Sequence, residues 1–268
     1  MDVTGSLPRA LRILRLLGEA DHPGLRLSGI ADATGMPRPS AHRILRVLVA
    51  EGFVEHDAAV HRYRLGLPLF LLAAKAGQGA GLRDLCRPGL LRLTAELGET
   101  VFLMVRNGHD AVCIDRSAGP LPIRSFTGDI GGRVPLGVGQ GSTAILAWLP
   151  AEEQAEIIRH NLPRIEEFGG ADEAALRAEL ARVRREGFCA AYGILPGMAG
   201  LGVPVMGADG HAVAALSIGT TTDRLGPARR EFVAGLLRQE AAAIAARLNP
   251  FDPALRRAGA AMEATSAR

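Results

Sequence analysis

The sequence lacks any long hydrophobic run. No apolar stretch reaches the roughly 20 residues that span a bilayer, and residues 1–6 carry no basic patch leading into an apolar signal segment. Its few cysteines, Cys86, Cys113 and Cys189, are far apart and have no Cys-x-x-Cys spacing, which argues against a disulfide framework and a zinc finger. We therefore expect a cytoplasmic protein with buried free thiols and with no membrane partner, metal or other cofactor.

The composition is typical of a well-packed globular protein, with 48% hydrophobic residues in a chain of 268. This length allows two domains. The charge is unevenly distributed, because residues 1–76 hold nine Arg and one Lys against seven acidic residues, whereas residues 77–268 hold 21 basic and 21 acidic residues. A basic N-terminal part joined to a neutral larger part predicts that only the first part meets a polyanion.

Residues 25–66 follow the order helix, turn, helix, hairpin. Ser28 is the predicted N-cap of a first helix, which Gly35 ends in a left-handed conformation. The turn that follows contains two prolines and cannot continue that helix. Ser40 is the predicted N-cap of a second helix that runs to about Glu51. This order predicts a helix-turn-helix, which places its second helix in the DNA major groove.

A hairpin with basic residues follows the second helix and predicts a wing. Residues 53–55 and 62–65 are the predicted strands, and residues 57–61 form the turn. The candidate DNA contacts are the donors of the second helix and the wing: Arg38, Ser40, His42, Arg43, Arg46, His61, Arg62 and Arg64. The alternatives are the ordinary charged face of an amphipathic helix and a winged helix that docks onto protein.

Apolar residues also predict how the chain is organised. Residues 7–17 carry the apolar stripe of a packing helix, and residues 67–76 are nearly all apolar. So hydrophobic a linker helix predicts pairing with its copy in a second subunit, and therefore a homo-oligomer. The expected division is a winged helix-turn-helix domain at 1–66, a linker helix and boundary at 67–81, a second domain at 82–250 and a tail at 251–268.

The second domain alternates β-rich segments with helical periodicity. The predicted strands are 100–106, 111–117, 123–126, 201–206 and 212–219, with hairpin turns such as Asn107-Gly108 and Asp209-Gly210. The predicted helices are 82–97, 142–148, 151–159, 171–186 and 227–248. The fold class is therefore α+β, with an all-α winged N-terminal domain and a largely antiparallel sheet flanked by helices in the second domain.

A glycine-rich loop, Pro135–Thr143, leads directly into an apolar helix. Unpaired backbone N–H groups and the positive end of the helix dipole make such a junction a candidate anion site. It is not a dinucleotide fingerprint, because Ser142 stands where the third glycine belongs, and it lacks the lysine of a P-loop. Either the loop binds a small carboxylate, or its glycines only let it pass close to the sheet.

Over essentially its whole length the chain resembles the IclR-type transcriptional regulators. The matching segments, in order, are Arg9–Leu14, Ile30–Arg38, Ser40–Leu45, Glu51–Val54, Tyr63–Gly66, Leu97–Val101, Pro135–Leu136, Ala144–Ala147, Arg185–Phe188, Pro196–Gly197 and Ala214–Ile218. The resemblance implies a dimer or tetramer whose GAF-like second domain binds a small, usually carboxylate-bearing metabolite. It also implies a pocket with Leu136 as an apolar wall and Ser217 as a hydroxyl donor.

The glycine-rich loop and the resemblance together give the candidate effector-binding residues, which are Leu136, Gly139, Gln140, Gly141, Ser142, Thr143, Tyr192 and Ser217. The sequence departs from the family pattern at Gly137, often His in members, at Ala190–Tyr192, often an acidic pair, and at Gly200, often Cys or Ser. These replacements imply a roomier, less polar pocket for an aromatic or longer acid, with Tyr192 as a stacking or hydrogen-bonding partner.

The competing hypothesis is an enzyme that uses Ser142 or Cys113 as nucleophile and His160 or His211 as base. The sequence has no Gly-x-Ser-x-Gly elbow and no His-x-x-x-His pair, so we expect no catalytic residues and no enzymatic activity. The sequence instead predicts a regulator that binds a double-stranded DNA operator, and whose operator binding is controlled by a small metabolite.

Overall fold

The computed structural model describes residues 5–20, 23–76, 81–120, 123, 129–169, 172–192 and 196–248. The chain forms two compact units, Met1–Ala80 and Gly81–Arg268. None of the helices in these described ranges is long and apolar enough to cross a membrane.

The first unit is a small helical core with a hairpin. Its elements are α1 (Ser6–Glu19), α2 (Leu27–Thr34), α3 (Arg38–Ala50), β1 (Val54–Asp57), β2 (Arg62–Leu65) and α4 (Leu67–Ala76). Ile13 of α1, Ile30 of α2 and Leu45 of α3 are fully buried against one another. Burying these side chains fixes α3 on the other two helices and leaves its opposite face in solvent.

Both predicted serine caps of the helix-turn-helix are wrong. The α2 helix begins one residue before Ser28, and α3 begins two residues before Ser40. In α3 the carbonyl of Pro37 accepts the first helical hydrogen bonds, and proline fits the first turn because it needs no donor there. The predicted end of α2 is confirmed, since Gly35 is left-handed with φ 65°.

The hairpin and the linker helix follow the expected ranges closely. The predicted second strand and the predicted linker helix match β2 and α4 residue for residue, whereas β1 begins one residue later than expected and extends to Asp57. β1 and β2 pair antiparallel, with Glu55 opposite Arg64 and Asp57 opposite Arg62. The expected boundary at residues 77–80 lies outside the described residues.

The second unit is built on a six-stranded sheet in the order β5-β4-β3-β8-β7-β6, and every neighbouring pair is antiparallel. The strands are β3 (Thr100–Asn107), β4 (Asp110–Ser117), β5 (Arg133–Pro135), β6 (Cys189–Tyr192), β7 (Met198–Met206) and β8 (Ala212–Thr221). The helices are α5 (Leu82–Leu97), α6 (Gln140–Ala147), α7 (Ala151–Glu167), α8 (Glu173–Glu186) and α9 (Pro227–Ala245), with a 3₁₀ turn at Thr222–Arg224.

The sheet separates two hydrophobic layers. One face packs against α5 and α9, where Leu90 and Val233 are buried, and the other packs against α6, α7 and α8, where Leu146 and Ile158 are buried. The α+β prediction of an antiparallel sheet flanked by helices is confirmed. The side chains of successive β3 residues pack alternately into the two layers, as expected for a strand covered on both faces.

Individual predictions for the second unit differ in outcome. The α5 range is confirmed to the residue, but α7 continues eight residues beyond the predicted end at Arg159, because Asn161 and Ile165 are buried in the core and hold its last turns. The edge strands β5 and β6 were not predicted. Of the strand predicted at 123–126, only Ile123 is described, and it has no regular structure. The predicted tail at 251–268 lies outside the described residues.

Candidate functional site

The outer face of α3 carries three arginines and a histidine. Arg38, His42, Arg43 and Arg46 are exposed, and Ser40 is half-buried. The opposite face, including Leu45, is buried. These four side chains take part in none of the hydrogen bonds and ion pairs that form within the described residues. They are therefore available to meet phosphates and base edges along one helical face.

The wing is less basic than the sequence predicts. Arg64 Nε lies 2.8 Å from Glu55 Oε2 in an ion pair, and Arg62 Nη1 donates to the Gly24 carbonyl at 2.5 Å. Residues 54–65 hold two Arg and two acidic residues, so the formal charge of the hairpin is zero. His61 lies in the turn in the left-handed region, with φ 52°. The prediction of a basic wing is corrected, because antiparallel pairing places each arginine opposite an acid.

The glycine-rich loop ends at α6 with unpaired donors. Gly139 is the N-cap, and its φ of 77° is one that glycine adopts without strain. The backbone N–H groups of Gly139, Gln140, Gly141 and Ser142 donate no hydrogen bond within the described residues. The prediction is wrong for the N–H of Thr143, which is not available to a ligand because it donates to the Gly139 carbonyl at 3.1 Å. Four N–H groups at a helix N-terminus form the arrangement that binds anions.

Two hydroxyls of the predicted set stabilise the loop itself. Ser142 Oγ donates to the Val138 carbonyl at 2.5 Å, and Thr143 Oγ1 donates to the Gly139 carbonyl at 2.8 Å. Both residues are buried. Their side chains therefore hold the loop in place and leave the backbone as the donor surface of the site.

A part of the sheet without side chains lies against this helix start. Gly200 pairs with Gly219 and Gly202 pairs with Ser217 across β7 and β8, and we call Gly200, Gly202 and Gly219 the glycine patch. A Cβ at Gly202 would lie 2.7 Å from the Gln140 carbonyl oxygen and 3.0 Å from the Gly141 nitrogen. Only glycine lets β7 approach the α6 backbone this closely.

The side chain of Gln140 covers part of the glycine patch. Its Nε2 donates to the Ile218 carbonyl at 2.9 Å, and it would lie 2.3 Å from a Cβ at Gly200. Because a carbonyl only accepts, this contact fixes which end of the amide is nitrogen. The expectation of a roomier, less polar pocket is wrong at Gly200, since a polar amide occupies the space that the missing side chain leaves.

Gly137 does not open the pocket either. A Cβ there would lie 2.8 Å from Ile165 Cδ1 and 3.6 Å from both Leu146 and Leu176. A side chain at this position would therefore enter the hydrophobic core under α7 and α8. Its absence allows the loop to turn with φ 108°, and it does not change the polarity of the surface around Ser217.

Ser217 is the polar side chain next to the helix start. It is 3% exposed, and its Oγ lies 3.0 Å from the Cβ position of Gly141. A serine hydroxyl at this position can donate a hydrogen bond to a partner on the α6 side. A ligand oxygen bound at α6 would supply that partner.

The other two predicted effector residues lie elsewhere in the unit. The Leu136 side chain is fully buried in the hydrophobic layer with α6, α7 and α8. Its carbonyl accepts from Asn161 Nδ2 at 3.1 Å, which ties the loop to α7. Tyr192 is the last residue of β6, opposite Ala199 of β7, and its side chain lies outside the described part of the structure.

The nucleophiles of the enzyme hypothesis are not activated. Ser142 Oγ and Cys113 Sγ both donate to backbone carbonyls, and burial raises the pKa of the Cys113 thiol to about 11, so it stays protonated at neutral pH. His160 stacks on His109 with ring centroids 4.0 Å apart. Within the described ranges, no group of three or more His, Cys, Asp or Glu side chains could hold a metal.

Sequence reasoning missed the glycine patch and the acidic partner of Arg64. The spacing Gly200-Leu201-Gly202 is the available signal for the patch, because residues two apart share one face of a strand. Both features depend on strand register, which places Gly219 beside Gly200 and Glu55 beside Arg64.

Comparison with known proteins identifies both units. Residues 6–58 match the IclR helix-turn-helix domain, and residues 74–246 match the bacterial transcriptional regulator IclR C-terminal domain. The chain belongs to the IclR family. As a member of this family it is a DNA-binding transcriptional regulator, and residues 6–58 match the family's helix-turn-helix domain.

Individual relatives agree with this assignment. The HTH-type transcriptional regulator KipR of Bacillus subtilis is 31% identical over 198 residues, which cover 73% of this chain and 78% of KipR. An IclR-type regulator from Alicyclobacillus acidocaldarius has a similar crystal structure, with a TM-score of 0.78, 25% identity and coverage of 90% and 97% of the two chains. An IclR homologue from Microbacterium hydrocarbonoxydans was crystallised with 4-hydroxybenzoate. Its structure matches with a TM-score of 0.77 and 26% identity, and the match covers 90% of this chain and 98% of the homologue.

Proposed function

We propose that this regulator binds a small carboxylate at the start of α6, and that this effector controls its binding to a double-stranded DNA operator. One observation carries the proposal: the N–H groups of residues 139–142, which donate no hydrogen bond within the described residues, lie beside the side chain of Ser217, a residue that is 3% exposed. The donors and the helix dipole favour an anion, and Ser217 completes its hydrogen bonding. The loop glycines serve this site in addition to letting the chain pass close to the sheet.

The surroundings favour an aromatic acid. A Cβ at Gly219 would lie 2.6 Å from Ile123 Cγ2 and 3.4 Å from Phe102 Cε2, so apolar side chains flank the patch next to Ser217. The Microbacterium relative was crystallised with 4-hydroxybenzoate. Hydrophobic walls with a few convergent donors are typical of a site for such a ligand. Leu136 supports the loop from the core, and Tyr192 stays a candidate contact of the ring.

We assign operator recognition to α3, with Arg38, Ser40, His42, Arg43 and Arg46 in the major groove and His61, Arg62 and Arg64 of the wing near the backbone. The apolar linker helix α4 has exposed Leu67, Phe70 and Leu71, with 62, 68 and 51% of their surfaces accessible. Pairing of α4 with its copy covers this surface, so the protein works as a homodimer or homotetramer in the cytoplasm.

The proposed domain boundaries separate the DNA-binding part from the effector-binding part. Residues 1–66 bind DNA, residues 67–81 link the two domains, residues 82–250 bind the effector and residues 251–268 form a tail. An effector shifts the dimer between two forms only by its different affinity for them.

A thermal-shift comparison of acids tests the effector site. Benzoate, 4-hydroxybenzoate, pyruvate and succinate are added to the full-length protein, and an acid at about 100 times its Kd should add roughly 2.7 kcal/mol to the free energy of unfolding. Ser217→Ala should reduce this stabilisation. Thr220→Val is the matched control, because it removes the hydroxyl of another buried residue of the same strand.

Two outcomes contradict the proposal. If Ser217→Ala and Thr220→Val respond to the acids alike, the anion does not bind at α6. If an acid binds at this site but leaves the affinity for operator DNA unchanged, the site does not regulate DNA binding.

A further inference from the structure

The charges of the wing cancel within the hairpin. β1 and β2 place Glu55 opposite Arg64 and Asp57 opposite Arg62. Arg64 and Glu55 form an ion pair at 2.8 Å in which both side chains remain about half exposed, at 50% and 46%. Both partners can therefore be reached by a DNA backbone that approaches the wing.

An exposed ion pair of this kind is weak, because water and salt screen it. A phosphate that approaches Arg64 can replace Glu55 as its partner. The Glu55 carboxylate then lies beside the phosphate and repels it, so the favourable contact of Arg64 is partly cancelled. By contrast, Arg43 and Arg46 of α3 have no acidic partner within the described residues.

We propose that Glu55 is a positioning residue that competes with DNA phosphate for Arg64 and lowers the affinity of the wing for any duplex. The proposal concerns the DNA-binding activity and does not depend on the effector site. Its consequence is that the unpaired cations of α3 dominate binding, so that affinity depends on the helix that reads bases and less on the hairpin that contacts backbone.

Binding to a non-operator duplex tests this role. Glu55→Gln removes the charge and nearly preserves the shape of the side chain. We expect tighter binding to a random-sequence duplex, and a plot of log affinity against log salt that is steeper by about 0.9, the value for one more phosphate contact. The gain should therefore shrink roughly three- to fourfold between 50 and 200 mM salt.

Glu51→Gln is the matched control. Glu51 is an exposed carboxylate at the C-cap of α3, and it takes no part in the ion pairs of the described residues. It loses the same charge without releasing an arginine, so its effect on affinity and on the salt slope should be smaller. Equal effects of the two substitutions would show that Glu55 acts only through net charge and would overturn the proposal.

The Arg64→Ala variant separates the effect of the Glu55–Arg64 ion pair from the effect of the Glu55 charge alone. If Glu55 acts through Arg64, adding Glu55→Gln to Arg64→Ala should change the affinity no more than Glu51→Gln does. A full gain in that background would also overturn the proposal. If Glu55→Gln does not fold, Glu55→Asp provides a second test. The shorter aspartate keeps the charge but loosens the ion pair with Arg64, so the affinity for the random-sequence duplex should rise by a smaller amount.

Discussion

The two candidate sites of this regulator are built in opposite ways. The proposed DNA-binding face consists of long, exposed cationic side chains on α3, which project from a buried core. The proposed effector site consists of backbone donors and of glycines whose missing side chains let a strand and a helix start approach each other. Function in the first site therefore depends on the side chains present, and in the second on side chains that are absent.

The largest effect is expected from filling the glycine patch. Gly202→Val places a side chain where a Cβ already lies 2.7 Å from the Gln140 carbonyl oxygen and 3.0 Å from the Gly141 nitrogen, and these two atoms belong to backbone that cannot move cheaply. Overpacking of this kind should lower the free energy of unfolding by about 3 kcal/mol. Urea denaturation measures the loss.

The matched control for this change is Gly235→Ala. Gly235 lies on the exposed side of α9, and a Cβ there would meet nothing within 4 Å. Alanine should stabilise the helix by about 0.5–1 kcal/mol, because glycine is a poor helix former. If both substitutions have the same sign, the close approach at Gly202 is not what requires glycine there.

Shortening a side chain of α3 should have the next largest effect. Arg43→Ala removes an exposed, unpaired guanidinium from the predicted recognition face. Loss of a base contact costs about 1–3 kcal/mol and relaxes the preference at one operator position. Selection from a pool of random duplexes, compared with selection by the unmodified protein, measures this relaxation.

Arg15→Ala is the control for charge, since Arg15 is an exposed arginine of α1. It should weaken binding slightly and leave the selected sequence unchanged. A selected sequence that stays the same for both variants would remove Arg43 from the base-reading surface.

The contrast between the sites also explains what the sequence could predict. Local patterns suffice for α5, for β2 and for the cationic face of α3, because helical period, strand alternation and side-chain charge are all visible along the chain. The wing fails as a basic surface because Glu55 and Arg64 meet only through the register of a hairpin. The short edge strand β5, which includes Pro135, has too few residues for an alternating pattern.

The proposed effector site is harder to predict because its geometry depends on residues that are far apart in the sequence. The loop signals donors at residues 139–142, but the partner surface requires β7 and β8 to pair with Gly200 beside Gly219. A departure from the family pattern at one position, such as Gly200, also does not predict the size of the pocket. The space at Gly200 is filled by Gln140, which lies 60 residues away in the chain. An absent side chain predicts a cavity only when nothing else packs there.

The smallest predicted effect tests that last point. Gln140→Ala removes the amide that covers Gly200 and opens the space that glycine leaves, so a larger acid should gain relative to a smaller one. We expect the affinity for 2-naphthoate, compared with that for benzoate, to improve by about 1 kcal/mol, or roughly fivefold, which is the order of a small change in an apolar pocket. Titrations followed by thermal shift give both affinities.

Gln154→Ala is the control for this substitution. Gln154 lies in α7, and its Nε2 also donates to a backbone carbonyl, that of Leu146, at 2.9 Å. If the ratio of affinities is unchanged by Gln140→Ala, or changes equally with Gln154→Ala, the Gln140 amide does not limit the size of the effector.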